Sequence, residues 1–92
     1  MTETELKARV VRHNKKRLDR LIDLLGGIEP RRHSIDSIEL VVADRSGKSH
    51  CVKFDGDALD TYLVFSSLLD SARTRSSYLG EKLDEIEKEL WR

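Results

Sequence analysis

Two segments of the chain place apolar residues at alternating spacings of three and four, the pattern of a helix with one buried stripe. The first predicted helix spans residues 4–25, with Thr4 as its N-cap and Gly26-Gly27 as its left-handed end. Pro30 then prevents the helix from resuming. The buried stripe of this helix, its seam, is predicted to consist of Val11, Asn14, Leu18, Leu21 and Leu25.

A change from helical to alternating periodicity predicts a β-hairpin over residues 37–54. The strand "SIELVVA" is followed by the turn "DRSGK" and the returning strand "SHCVKF". A three-residue loop with Gly47 at its bulge sets Leu40 opposite Val52. Two strands alone are not stable in water, so the apolar face of the hairpin is expected to rest on the helices. That face consists of Ile38, Leu40, Val42, His50, Val52 and Phe54.

The longest predicted element is a second helix over residues 57–91, capped by Asp57. Its apolar positions follow a four-three repeat without a slip, which is typical of a coiled-coil seam. These positions are Ala58, Tyr62, Phe65, Leu69, Ala72, Ser76, Leu79, Leu83, Ile86 and Leu90. The predicted fold class is therefore α+β, with residues 1–92 forming one domain in the order helix, hairpin, long helix.

The unequal lengths of the two helices predict self-association. At 1.5 Å per residue the second helix would be about 50 Å long, whereas the first would reach only about 33 Å. The first helix is too short to cover the whole seam, so a second copy of the chain is expected to cover the rest. The prediction is a homo-oligomer, most simply a dimer, and its seam residues are Tyr62, Phe65, Leu69, Leu79, Leu83, Ile86 and Leu90.

Composition favours solvated helices over a compact globule, since 37% of the residues are charged and 5% are aromatic. Cys51 is the only cysteine, so no disulfide within the chain can support the small core, and a reducing compartment is indicated. The N-terminus lacks the apolar core of a signal peptide, and no apolar run approaches the ~20 residues that span a membrane. A cytoplasmic protein with no membrane partner is expected.

The formal charge is zero but unevenly distributed. Residues 1–33 carry nine Lys or Arg against five Asp or Glu, and residues 34–92 carry eight against twelve. A stripe of basic residues follows the first helix at spacings of three and four, and two further arginines extend it. This basic stripe consists of Arg9, Arg12, Lys16 and Arg20, extended by Arg31 and Arg32.

Three partners are open to the basic stripe. The acidic end of the second helix, "GEKLDEIEKEL", could pair with it within or between subunits, and this interpretation is favoured. An external acidic protein is the second hypothesis. Nucleic acid is the third, and it is disfavoured because the pI is about 6.8 and the stripe contains no aromatic residue for base stacking.

A second candidate site lies in "SARTRSS", residues 71–77, where the seam narrows to small residues. Arg73 and Arg75 there could hold a phosphate, which raises the hypothesis of a sponge that sequesters a small signalling nucleotide. The two arginines are two residues apart, so they point in different directions on one helix. They could converge on a ligand only across a symmetric interface, and a solvated polar patch is the favoured interpretation.

No catalytic, cofactor or metal site is predicted. The segment "RSGKSH" is not a phosphate-binding loop, because Val42 occupies the place of the first glycine. His13, His33 and His50 lack metal-ligand spacing, and Cys51 has no base nearby in sequence. The acidic cluster at the start of the second helix, Asp55, Asp57 and Asp60, is explained by capping and the helix dipole.

The sequence "IELVVADRSGKSHCVKF" followed by "YLGEKLDEIEKEL" resembles small accessory proteins of bacteriophages and prophages, in which a hairpin precedes a long charged helix. The resemblance covers about the last sixty residues and is architectural, so it assigns no functional residue. It implies a non-enzymatic binding protein that blocks a host defence complex, sequesters a small signalling nucleotide or modulates a host or phage assembly. Inhibition of a host protein complex is the prediction that we prefer. The alternatives that the residues leave open are the nucleotide sponge and a nucleic-acid-binding regulator that uses the basic first helix.

Overall fold

The computed structural model of the chain describes residues 2–30 and 35–91. They form a helix α1 (Glu3–Gly26), two strands β1 (Ile38–Ala43) and β2 (Ser49–Phe54), and a long helix α2 (Ala58–Leu90). This arrangement confirms the predicted α+β class and the order helix, hairpin, long helix. The element bounds differ from the predicted ones by at most one residue.

Local side-chain contacts explain where the helices begin. The Thr2 hydroxyl accepts a hydrogen bond from the Glu5 amide at 3.1 Å, so Thr2 and not the predicted Thr4 is the N-cap of α1. The Asp57 carboxylate accepts a hydrogen bond from the Asp60 amide at 2.8 Å and caps α2 as predicted. The end of α1 differs from the prediction, because Gly27 keeps a right-handed φ of −66°.

The turn fixes the hairpin register that the sequence predicts. Asp44 Oδ1 accepts hydrogen bonds from the backbone amides of Ser46 and Lys48 at 2.9 and 3.0 Å. Gly47 has a φ of 87°, a conformation that side chains disfavour. As a result, Leu40 pairs with Val52 across the antiparallel strands.

α1 and α2 pack against each other in antiparallel orientation, since the start of α1 lies beside the end of α2. Arg12 contacts Glu87 at 3.0 Å, and Asp19 accepts a hydrogen bond from the Ser76 hydroxyl farther along. Among the described residues, the buried side chains lie on these two helices. They are Ala8 on α1 and Thr61, Phe65, Leu69, Ala72, Ser76 and Leu79 on α2.

Three of the five residues predicted for the α1 seam are half-buried, and two are exposed. Val11, Leu18 and Leu25 are half-buried toward α2, but Asn14 and Leu21 are exposed. Lys15 and Ile22 take their places, so the spacing in the middle of the helix runs four-three where three-four was predicted. Both spacings keep apolar residues on one face of α1, so the sequence pattern alone does not distinguish them. The packing against α2 does.

The premise that one chain cannot cover the α2 seam is wrong. α1 ends seven residues beyond Asp19, which in an antiparallel pair corresponds to a position near Leu69. Phe65 and Thr61 lie beyond that point, yet the chain leaves them only 4% and 0% exposed. Segments of the chain outside α1 therefore cover Phe65 and Thr61. The helix lengths alone do not account for these segments.

The residues predicted at the oligomer seam are covered by the single chain to different degrees. Phe65, Leu69 and Leu79 are buried, and Tyr62, Leu83, Ile86 and Leu90 are half-buried. Ala58, which was predicted to start the seam, is exposed. The middle of the α2 seam is thus covered within the chain, whereas Tyr62, Leu83, Ile86 and Leu90 remain partly exposed.

The hairpin does not rest on the helices as predicted. Leu40, Val42 and Val52 are 42%, 52% and 54% exposed, and of the strand residues only Ile38 is half-buried. Phe54 lies over Gly56, where a Cβ would come within 2.8 Å of its ring. The apolar face of the hairpin therefore remains largely open in the single chain.

The molecule is flat and exposes much of its surface. Its extents are 53 × 34 × 15 Å and its radius of gyration is 17.1 Å, whereas a compact domain of this length would have about 12 Å. Its accessible surface is 7522 Å², against about 5,500 Å² for a compact monomer of this mass. The helix pair is thus the only part with a well-covered core among the described residues.

The burial pattern predicts a sharp difference between two neighbouring leucines. Leu69→Ala should lower the free energy of unfolding by about 2–5 kcal/mol, because it leaves a cavity at a side chain that is 1% exposed. Leu68→Ala, at a side chain that is 38% exposed, should cost less than about 1 kcal/mol. Urea denaturation followed by circular dichroism measures both, and equal losses would contradict the described packing.

Candidate partner-binding surface

The outer face of α1, turned away from the seam, carries a shallow groove that combines apolar and basic side chains. Leu6 and Val10 are 53% and 51% exposed within it. The groove is lined by Leu6, Arg9, Val10, Arg12, His13 and Lys16. Three of the four residues of the predicted basic stripe thus lie in one groove, next to apolar side chains that the sequence analysis did not single out.

The apolar residues of this face continue toward the end of α1. Leu21, Leu24 and Ile28 are all exposed and follow one another at spacings of three and four. Leu21 and Leu24 fall on the same side of α1 as Leu6 and Val10 at the helical period, and Ile28 follows beyond the end of the helix. This side of α1 therefore carries two exposed apolar patches, separated by His13, Asn14 and Arg17, and a search for a second register in the helix would have found them.

A second groove joins this outer face to the contact between the helices. It combines four apolar residues with three charged ones, and it is lined by Glu3, Leu6, Lys7, Val10, Val11, Lys82 and Ile86. Leu6 and Val10 belong to both grooves. The exposed apolar surface thus extends from the outer face of α1 across to α2, with Lys7 and Lys82 at its rim.

One residue of the basic stripe pairs with the acidic end of α2. The Arg12 guanidinium contacts the Glu87 carboxylate at 3.0 Å, with both side chains more than a third exposed. This contact agrees with the favoured pairing of the basic and acidic helices, and it contributes about 0–1 kcal/mol. Arg9, Lys16 and Arg20 form no ion pair with any residue in the described ranges 2–30 and 35–91.

A polar cluster interrupts the seam in the middle of the helix pair. Lys15 Nζ donates to Asp19 Oδ2 at 2.8 Å, and the Ser76 hydroxyl donates to Asp19 Oδ1. The hydrogen bonds from Lys15 and from Ser76 lower the pKa of Asp19 below its ordinary value. Gly80 leaves room for Lys15, whose Cε would lie 3.2 Å from an added Cβ. The cluster therefore ties one position of α1 to one position of α2.

The structure separates the two arginines of the predicted phosphate site. Arg73 contacts Glu29 at 3.0 Å and Asp70 at 3.9 Å, whereas Arg75 stacks over the Tyr78 ring at 4.9 Å. They do not meet within one chain, as their spacing predicted. Arg31 and Arg32 lie outside the described residues.

The remaining candidates for chemistry occupy an open surface. His50 Nε2 lies 3.4 Å from Asp44 Oδ2 at the end of the hairpin, and Cys51 is exposed. Over the described residues, no group of three or more His, Cys, Asp or Glu side chains is arranged to hold a metal ion. Within the same ranges, neither helix combines the length and apolarity needed to cross a membrane.

Comparison with known proteins gives no further assignment. No protein-family model matches the chain, and neither a curated protein nor a solved structure matches it.

The polar cluster predicts a pH dependence of stability. Hydrogen bonds from Lys15 and Ser76 lower the pKa of Asp19 in the folded chain. Its contribution to stability is therefore present at neutral pH and is lost as the pH falls through the lowered pKa of the folded state. Asp19→Asn should therefore unfold at a lower urea concentration than wild type at pH 7, and the difference should shrink below about pH 4. Urea titrations at several pH values measure this.

Asp23→Asn is the matched control for Asp19. It removes an exposed carboxylate from the same helix that forms no ion pair within the described ranges. Its unfolding midpoint at pH 7 should stay close to that of wild type. A difference for Asp19→Asn that persists unchanged at low pH would contradict the role given to its carboxylate.

Proposed function

We propose that the chain is a non-enzymatic binding protein, that it acts as a homo-oligomer, most simply a dimer, and that the outer face of α1 binds an acidic protein. The observation that carries the proposal is the groove on α1. It places exposed Leu6 and Val10 beside Arg9 and Lys16, two basic side chains that lack ion-pair partners in the described part of the chain.

This combination fits an acidic amphipathic helix better than other ligands. Such a helix would place its apolar side chains on Leu6 and Val10 and its carboxylates beside Arg9 and Lys16. Apolar burial would supply affinity, while the charges would set orientation and raise the association rate. The two apolar patches on one side of α1 suit a rod-shaped partner that contacts both.

Nucleic acid is the weaker alternative for the same face. A phosphate backbone would neutralise the basic residues but offers no apolar surface to cover Leu6 and Val10. The formal charge of the whole chain is zero, so the field that attracts a polyanion is confined to one helix. A nucleic-acid-binding regulator nevertheless predicts a distinct salt dependence, which the experiment below measures.

Self-association is supported by the surface that the single chain leaves open. Its accessible area exceeds that of a compact monomer of equal mass by roughly 2,000 Å². A standard protein interface covers about 800 Å² on each partner, and obligate dimers cover more. The surplus is therefore large enough for a substantial contact between copies.

The resemblance to phage accessory proteins suggests which kind of protein the acidic partner is. Within this proposal, the acidic partner is a subunit of a host protein complex, and binding to α1 inhibits that complex by occupying its surface.

Fluorescence anisotropy with three labelled probes tests the α1 face. The probes are an acidic amphipathic helical peptide with leucine at the a and d positions, a polyglutamate peptide of equal charge, and a duplex DNA. The amphipathic peptide should bind most tightly. Arg9→Glu/Lys16→Glu/Arg20→Glu should weaken that binding at least about tenfold, since each charge contributes about 0.5–1 kcal/mol.

A matched triple variant controls for net charge. Arg45→Glu/Lys48→Glu/Lys88→Glu changes the charge by the same amount but lies on the hairpin and the end of α2, so it should bind the peptide as wild type does. Equal loss in both triple variants would contradict a specific face. Binding to DNA alone, with a steep loss at higher salt, would favour the nucleic-acid alternative.

The nucleotide-sponge alternative is tested by thermal unfolding with a panel of cyclic nucleotides. A ligand at 100 times its Kd would stabilise the fold by about 2.7 kcal/mol, a readily measured rise in Tm. We expect no rise, because Arg73 and Arg75 are engaged with different neighbours. A rise that Arg73→Ala abolishes would support the sponge and contradict the proposed function.

A further inference from the structure

One side of α1 carries a continuous stripe of exposed side chains that includes both apolar patches and the residues between them. Its members follow one another at spacings of four or three, so they lie on one face of the helix over about five turns. Every one of them is exposed although the whole chain is folded around α1. The stripe consists of Leu6, Val10, His13, Arg17, Leu21 and Leu24.

Both ends of the stripe are apolar. Leu6 and Val10 are 53% and 51% exposed at the start of α1, and Leu21 and Leu24 are 44% and 64% exposed near its end. Leu6 and Leu24 are 18 positions apart in the sequence, which corresponds to about 27 Å along a helix. A ligand that covers both apolar ends must therefore be rod-shaped and at least this long.

The middle of the stripe is basic. Arg17 lies on the stripe itself, and Lys16 and Arg20 lie beside it on the same helix. None of these three side chains forms an ion pair with any residue in ranges 2–30 and 35–91, which the structure describes. Their charges are therefore available to the carboxylates of a ligand that spans the two apolar ends.

Two other occupants match only part of the stripe. A second copy of α1, packed antiparallel, would set apolar ends against apolar ends but would bring Lys16, Arg17 and Arg20 of both chains into one region. Like charges placed together across an interface oppose association. A nucleic acid would match the basic middle but would leave both apolar ends uncovered.

We propose that the stripe binds one amphipathic helix of an acidic protein, with the carboxylates of that helix at the middle of the contact and its apolar side chains at both ends. This inference rests on the proposed function and adds the length of the bound helix and the order of its side chains. The bound helix has at least about five turns, because a shorter one reaches only one apolar end. The two apolar ends supply affinity, and the carboxylates beside Arg17 fix the position of the helix along α1.

Fluorescence anisotropy with two labelled peptides of equal composition tests the order of the side chains. Both peptides are stapled helices of about six turns. The segmented peptide carries leucines at both ends of its binding face and glutamates in the middle, and the inverted peptide carries glutamates at both ends and leucines in the middle. The segmented peptide should bind at least about tenfold more tightly, because attraction between net charges is the same for both. Equal affinities would overturn the inference.

A matched pair of double variants tests the stripe on the protein. Leu21→Gln/Leu24→Gln removes one apolar end and should weaken binding of the segmented peptide at least about tenfold. Leu59→Gln/Leu63→Gln removes two leucines of similar exposure from α2, so it should bind the peptide as wild type does. Circular dichroism checks that both variants keep their helices. Equal losses in the two variants would overturn the assignment of the stripe.

Light scattering tests whether a second copy occupies the stripe instead. Leu21→Gln/Leu24→Gln should have the same mass as wild type in solution. A fall from dimer to monomer in this variant would show that the stripe joins two copies, which would overturn the inference.

The peptide with leucine at every a and d position separates this inference from the proposed function. If that peptide binds wild type while the segmented peptide binds no better than the inverted one, the inference fails and the proposed function stands. If none of the acidic amphipathic peptides binds, both fail.

Discussion

The packing of α1 against α2 is the interaction on which the rest of the molecule depends. It encloses Leu69 and Leu79, and segments outside α1 extend the same core over Phe65. Small residues such as Ala8 and Ala72 let the helices approach closely but contribute little apolar area. The buried side chains therefore stabilise the helix pair, and few of them contact the hairpin.

A polar cluster within this packing sets how the helices align. Lys15, Asp19 and Ser76 form hydrogen bonds at a point where an apolar seam alone would permit sliding by one turn. The ion pair between Arg12 and Glu87 lies nearer the open end of the helix pair and adds orientation more than stability. The same alignment leaves Arg9, Lys16 and Arg20 on the outer face of α1, where they are available to a partner.

Caps, turns and the hairpin register could be predicted from the sequence, whereas the packing of the elements on one another could not. The hairpin register follows from Gly47 and from the Asp44 side chain, so it was predictable from a few adjacent residues. The cap at Asp57 and the seam of α2 follow from similarly local rules. The α1 seam was ambiguous because Asn14 and Lys15 both lie close to it. Lys15 lies toward α2 in the structure, where it bonds Asp19, and Asp19 in turn bonds Ser76 of α2. The open hairpin face and the Leu6–Val10 groove depend on how elements meet, which periodicity does not encode.

Our proposal is that a second copy of the chain covers part of the surface that the single chain leaves exposed. Multi-angle light scattering on the purified protein, over a dilution series, tests this claim most directly. The account predicts a mass of twice 10.6 kDa at the higher concentrations, with dissociation to monomers on dilution. A particle of 10.6 kDa that is fully folded at every concentration would contradict it.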